Sequence, residues 1–284
     1  MKRGQSLLGV IVALVLFAGS LPAQSYGPTH ARWVLRAGNR PFLQGSYGLD
    51  RLEHRQFAGS FSDLGRIHLT LGYSELRPYR SDLLSLEERS AFGAYSGTGI
   101  SWRDADSAAV DATLWQIGIA FRGGYGYPVG ADLAIIPAFG ATFDITSIST
   151  TRPAGLSSGD STILDRYEGS FRFGHTAEAE LRFEFSRSFS LSGAYQLSVV
   201  YPRVVFWKWV GSYGLAAVSM GVLSQFSLEI IRSSPALGPI ITWLLKGALA
   251  YGIYALWRDE MHWPFKSETP MTHQSGLISL SFVF

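Results

Sequence analysis

Gly-Leu-Ile-Ser-Leu-Ser-Phe-Val-Phe, residues 276–284, decides the reading of the chain. Successive side chains of a strand point to opposite faces, so Ile278, Leu280, Phe282 and Phe284 share one face, while Leu277, Ser279, Ser281 and Val283 share the other. The stretch is a ribbon with one greasy side and one mostly small or polar side. Its final residue is aromatic.

The same alternation recurs upstream. Ile67, Leu69, Leu71 and Tyr73 alternate with His68, Thr70 and Gly72, and Trp115, Ile117, Ile119 and Phe121 alternate with Gln116, Gly118 and Ala120. Eight strand-like segments can be placed from Pro41 onward: 42–49, 66–74, 91–102, 114–123, 133–147, 165–185, 189–199 and 276–284. Pro137 falls within the fifth and is an irregularity, since proline removes a ladder donor. The sixth is the most informative. It sets Tyr167, Phe171, Phe173, Leu181, Phe183 and Phe185 against Glu168, Arg172, Glu178, Glu180, Arg182 and Glu184. A soluble sandwich buries such an apolar face, and a membrane barrel turns it toward lipid. The alternation is identical in the two cases.

The closing strand and its terminal Phe284 resemble those of bacterial outer-membrane β-barrels. That resemblance implies an all-β, transmembrane, antiparallel up-and-down barrel of eight strands in the bacterial outer membrane. It also implies two partners, outer-membrane lipid and the barrel-assembly machinery, the latter reading Gly276, Leu280, Phe282 and Phe284 as its signal. The rest of the chain is compatible. Aromatic residues make up 14% of it and charged residues only 16%, a mix suited to aromatic girdles and tight turns rather than to a soluble enzyme. Without cysteine, thiolate metal sites and cysteine nucleophiles are excluded. The formal charge of +2 is accounted for by Lys2 and Arg3, so nothing points to nucleic acid. Those two residues, the apolar run 7–19 and the exit Ser20-Leu21-Pro22-Ala23 read as a signal peptide over 1–23. Residues 24–40 read as a periplasmic leader and 41–284 as the barrel. Parity then places 124–130 and 186–188 at the periplasmic end as short turns and 50–64, 103–111 and 149–164 outside; 77–90 is long for an inner turn.

Between strands seven and eight lies an apolar insertion, 203–270. No charged residue occurs from Trp209 to Leu228, and Lys246 is the single one from Ala236 to Trp257. Each run is long enough to be a membrane-length helix, with Ser233-Ser234-Pro235 as the turn between them. Trp209 and Trp257 mark interfacial depth in this reading, and Lys246 sits in the middle of the second helix, a costly place in lipid. Three placements are open: a hairpin over the outer mouth or in the outer leaflet beside the barrel, a plug in the lumen, or two further strands that raise the count to ten.

The chemistry is sparse. The six histidines have no metal-ligand spacing, and no cofactor motif occurs; Gly123-Gly124-Tyr125-Gly126 reads as a turn. His175 or His273 beside a loop serine could imitate an outer-membrane lipid hydrolase, without a local motif. Arg122, Asp144, Glu168, Arg172, Glu178, Glu180, Arg182 and Glu184 are expected to form an ion-pair network in the lumen, where buried charges need partners. An eight-stranded barrel is just filled by its side chains. The expected role is therefore structural, adhesive or gated passage, with a lipid-modifying enzyme and a small passive channel as alternatives.

Overall fold

The computed structural model describes residues 36–80, 82–103, 108–129 and 133–284. The expected signal peptide and most of the leader lie outside them. Eight strands form a closed antiparallel barrel in sequence order: β1 (Arg36–His54), β2 (Leu64–Arg80), β3 (Leu83–Gly97), β4 (Asp111–Val129), β5 (Leu133–Thr151), β6 (Phe171–Glu184), β7 (Phe189–Val200) and β8 (Met271–Val283). Three α-helices occur among the described residues at the connections: α1 (Ser158–Asp165), α2 (Phe206–Ser233) and α3 (Gly238–Asp259). β8 pairs with β1 along its whole length, from His54↔Met271 to Phe42↔Val283, and closes the sheet.

The stagger of the barrel follows from its pairing. One circuit along paired residues runs from Leu43 through Leu71, Ala91, Ile119, Phe143, His175, Val199 and Thr272. It returns to β1 at Glu53, ten residues farther on. With eight strands spaced ~4.8 Å apart and a rise of ~3.3 Å per residue, this stagger sets a tilt of roughly 41° and a backbone radius of roughly 8 Å.

Along the middle of the barrel the outward face is apolar. Leu69, Leu71, Trp115, Ile117, Ile119, Ile145, Ile278, Leu280 and Phe282 are all exposed. The inward face at the same level carries Gln44, His68, Thr70, Gln116, Asp144, Glu178, Ser279 and Ser281, all buried. This is the polarity of a membrane-spanning barrel.

The polarity reverses at both ends. Toward the tight turns, Leu76, Leu84, Leu86, Ala134 and Ile136 point inward and form an apolar floor, while Arg77 and Glu87 point outward. Toward the loops, Leu52, Leu64, Leu114, Ile148, Val200 and Met271 point inward and pack against Ile163, Leu164 and Tyr167 of the β5–β6 connection. About 9–11 residues suffice for a strand to cross the hydrocarbon, whereas β1, β4 and β5 are 19 residues long. The surplus stands in water and follows the ordinary rule of apolar in, polar out.

That reversal corrects several sequence expectations. Residues 77–90 form no long turn: β2 continues to Arg80 and β3 begins at Leu83. The leader gives way to strand at Arg36 rather than after residue 40. Gly123-Gly124-Tyr125-Gly126 lies inside β4. The sixth strand begins at Phe171 rather than near 165, because Ser157 caps α1 through Asp160 N–H and Gly169 then takes a positive φ of 72°. Glu168 is therefore a loop residue, bonded to Arg152 at 2.8 Å and to Thr150, and not part of the lumen.

The insertion is helical, and the strand count stays at eight. The hairpin lies neither over the mouth nor in the lumen; it runs down the outer wall of the barrel. At its lower end the Tyr127 hydroxyl, near the turn end of β4, donates to the carbonyl of Ala236 at 2.8 Å. Higher up, Trp243 Nε1 donates to the carbonyl of Ala138 on β5 at 3.0 Å. At the loop end, Tyr254 packs on Leu197 and Val199 of β7, and its hydroxyl accepts from Gln274 of β8 at 3.2 Å. α3 thus crosses from β4 to β8 as it rises. A line parallel to the barrel axis and ~33 Å long, the length of a 22-residue helix, meets roughly four to five strands tilted at ~41°. α3 therefore runs nearly parallel to the barrel axis, along the outer wall, and traverses the same layer as the strands. α2 packs on α3, touches the wall at its loop end through Trp209 and Tyr213, and exposes Leu215, Val218, Val222 and Phe226.

Candidate functional site

Two features set the molecule apart: the filled lumen, and the seam between hairpin and wall. The lumen is a stack of hydrogen-bonded charges between the apolar floor and the apolar lid. Nearest the floor, Arg182 donates to Glu88 at 2.5 and 2.8 Å and to Glu180 at 2.6 Å, with Glu184 at 3.7 Å. One layer up, Arg122 meets Glu178 at 2.7 Å, Glu88 at 2.8 Å, Glu180 at 3.2 Å and the Gln44 amide oxygen at 3.2 Å. Toward the lid, Asp50 accepts from Arg66 at 3.2 Å, Ser96 at 2.7 Å and Ser275 at 2.9 Å, and it meets His273 Nδ1 at 3.0 Å. Arg66 also reaches Gln116. Arg66, Arg182, Glu180 and Glu184 are at most 1% exposed.

Of the residues expected in this network, Arg122, Glu178, Glu180, Arg182 and Glu184 come together. Asp144 faces the lumen but bonds the hydroxyls of Thr142, Thr146 and Thr176. Arg172 stands near the loop end of β6 and, among the described residues, joins no ion pair of the stack. Glu88, Asp50, Arg66 and His273 belong to the stack and were not in the expected set. Glu88 went unread because its neighbours Leu84, Leu86, Glu87 and Arg89 mix the ordinary and reversed polarities. The signal was present all the same: Glu88 keeps the parity of Phe92, Ala94 and Ser96.

The two candidate histidines do not build a hydrolase. Asp50 and His273 form a carboxylate–imidazole couple, but His273 Nε2 has no hydrogen-bond partner and the couple is sealed in the lumen. His175 points outward, where its Nδ1 donates to the carbonyl of Thr142 at 2.8 Å. Its ring sits among Phe143, Tyr213 and Trp257 at centroid distances of 5.8, 5.5 and 5.6 Å. No hydroxyl or carboxylate bonds either free ring nitrogen among the described residues, so the nucleophile–base–orienter geometry is missing. No group of residues that could hold a metal occurs among the described residues.

No family model matches the chain, and no curated protein matches it either. Among solved structures the fold is similar to that of neisserial surface protein A, at 11% identity and a TM-score of 0.40. It is also similar to that of Ail, the attachment invasion locus protein of Yersinia pestis, at 7% identity and a TM-score of 0.33. Each match covers 87% of this chain and 100% of the other protein's chain.

The seam holds two cavities. The upper one, about 260 Å³, lies between α2, α3 and the wall and is lined by Ala141, His175, Ala177, Tyr213, Ala250 and Trp257 among others. Small residues on the strands and on the helices let the hairpin approach here. The lower one, about 220 Å³, is lined by Ser85, Gly123, Tyr125, Thr242, Trp243 and Lys246 among others. At the loop end the hairpin is fastened by its own side chains. Trp257 Nε1 donates to Ser212 Oγ at 2.9 Å, and Ser212 donates to the carbonyl of Trp263 at 2.6 Å. His262 stacks on Tyr201 with centroids 5.5 Å apart, and burial holds its imidazole below the usual histidine range. Trp209 lies on Phe173. Trp209 and Trp257, expected to mark interfacial depth, both stand at the loop end, because the hairpin doubles back.

Proposed function

We propose that the chain is a non-conducting barrel of the bacterial outer membrane with a structural or adhesive role, its loop end outward. The observation that carries this reading is the seal. Five charged side chains of the lumen, Asp50, Arg66, Glu180, Arg182 and Glu184, are at most 1% exposed, between an apolar floor and the apolar cluster at the loop end. A conducting path through that stack would have to break Arg122 and Arg182 from their carboxylates, and separating a buried pair costs several kcal/mol. Gated passage and passive conduction thereby lose support, and the histidine geometry removes support from the lipid-hydrolase reading. An outward apolar belt with short turns at one end and long connections at the other is the habit of outer-membrane barrels. Lipid is the partner such a belt implies, and the barrel-assembly machinery is the partner its insertion implies.

Planar bilayers test the reading. The refolded protein is expected to give no stepwise conductance at any applied potential. Regular unitary steps from protein whose unheated form migrates apart from its boiled form on a gel would overturn it.

A further inference from the structure

We infer that the lower seam cavity is a headgroup site for one phospholipid, with Lys246 as the ligand of its phosphate. The inference rests on the membrane-spanning reading of the barrel. Lys246 projects into the cavity of about 220 Å³, and among the described residues no carboxylate lies within ion-pair distance of its amine. Glu87 lines the same cavity but is engaged by Arg77 at 2.7 Å. A second polar group is in place: Thr242, one helical turn earlier on α3, is 5% exposed, lines the cavity, and its hydroxyl has no hydrogen-bond partner. A buried hydroxyl and a lysine without a counter-ion are costly unless something polar joins them. Gly123 faces outward on β4 and leaves the wall of the niche open where any other residue would fill it.

Depth identifies the occupant. Lys246 lies roughly 12 Å above the lower end of α3, at a rise of 1.5 Å per residue. On β3, beside the niche, the wall changes from the apolar belt to Glu87 and Arg89, the paired neighbours of Gly123 and Phe121 on β4. The lysine is central in its helix but not in the membrane. It stands at the boundary where phospholipid phosphates of the turn-end leaflet meet the hydrocarbon. A phosphodiester supplies the negative charge that Lys246 lacks and acceptors for the Thr242 hydroxyl, and its acyl chains can follow the apolar seam upward.

Native mass spectrometry of the full chain in mild detergent, titrated with phosphatidylglycerol, tests the site. Expected is one tightly held lipid, with affinity falling about tenfold or more in Lys246→Met, about threefold in Thr242→Val, and little in Lys246→Arg, as loss of charge-assisted bonds implies. Wild-type affinity in Lys246→Met, equal binding of diacylglycerol, or displacement of the lipid by millimolar inorganic phosphate would each overturn the site. The gel shift between unheated and boiled protein reports the barrel separately, so a lost site and a lost barrel read differently. If Lys246→Met does not fold, Thr242→Val alone decides, since it removes only a hydroxyl.

Discussion

At the residue scale the lumen is governed by a few arginines that each serve several carboxylates. Arg182 is 1% exposed and holds Glu88 and Glu180 at 2.5–2.8 Å. Its replacement by methionine keeps much of the volume but leaves those carboxylates in a sealed interior. We expect Arg182→Met to lower the stability of the folded barrel in liposomes by about 3–5 kcal/mol, read from urea unfolding followed by tryptophan fluorescence. Arg77→Ala removes an ion pair whose two side chains are about half exposed, and is expected to change stability by less than about 1 kcal/mol. Equal effects would mean that the lumen is hydrated rather than sealed. Part of this network was legible beforehand. Arg122, Glu178, Glu180, Arg182 and Glu184 keep one parity along strands whose other face is apolar. Glu88 was marked only by its parity with Phe92, Ala94 and Ser96, and Asp50 by less, because near the strand ends the rule that sorts lumen from lipid inverts and parity alone cannot say where that happens.

At the element scale the hairpin is an attachment rather than a part of the closure. β7 and β8 pair up to Val200↔Met271, so the two strand ends that the insertion joins are already neighbours in the sheet. Both helices leave from and return to that one point at the loop end. A variant in which residues 204–267 are replaced by a short Gly-Ser linker is therefore expected to close into a barrel and keep its heat-dependent gel shift. Its loss of stability should come from uncovering the outward faces of β4–β7, which lipid then covers. Loss of the gel shift would show that the hairpin is needed for closure. The two helices were readable from length and from Ser233-Ser234-Pro235, but their place was not. What fixes it are contacts far apart in sequence, such as Tyr127 on Ala236 and Trp243 on Ala138. The sequence carried only a faint mark of the docking face, the alanines at 141 and 177, outward positions that other strands fill with Ile, Leu or Trp.

For the whole molecule, the decisive property is a polarity that is inside-out in the middle and ordinary at both ends. A soluble barrel of the same topology tolerates charge on its outer face everywhere. A membrane barrel tolerates it only beyond the belt. Leu69 on β2 is 50% exposed and stands within the belt, on the side away from the hairpin. Leu69→Arg is expected to cost about 2–4 kcal/mol in lipid vesicles, the range for an arginine near the middle of the hydrocarbon. The same change at Glu87, outward but at the edge of the belt, is expected to cost no more than about 1 kcal/mol. In a micelle, whose surface deforms around a charge more readily than a bilayer does, the gap between the two variants should narrow. Urea titration of both variants in vesicles and in micelles measures all four numbers. Equal costs at positions 69 and 87 in vesicles would mean that the apolar belt faces a partner protein instead of lipid, and the axial placement of α2 and α3 would then need another explanation.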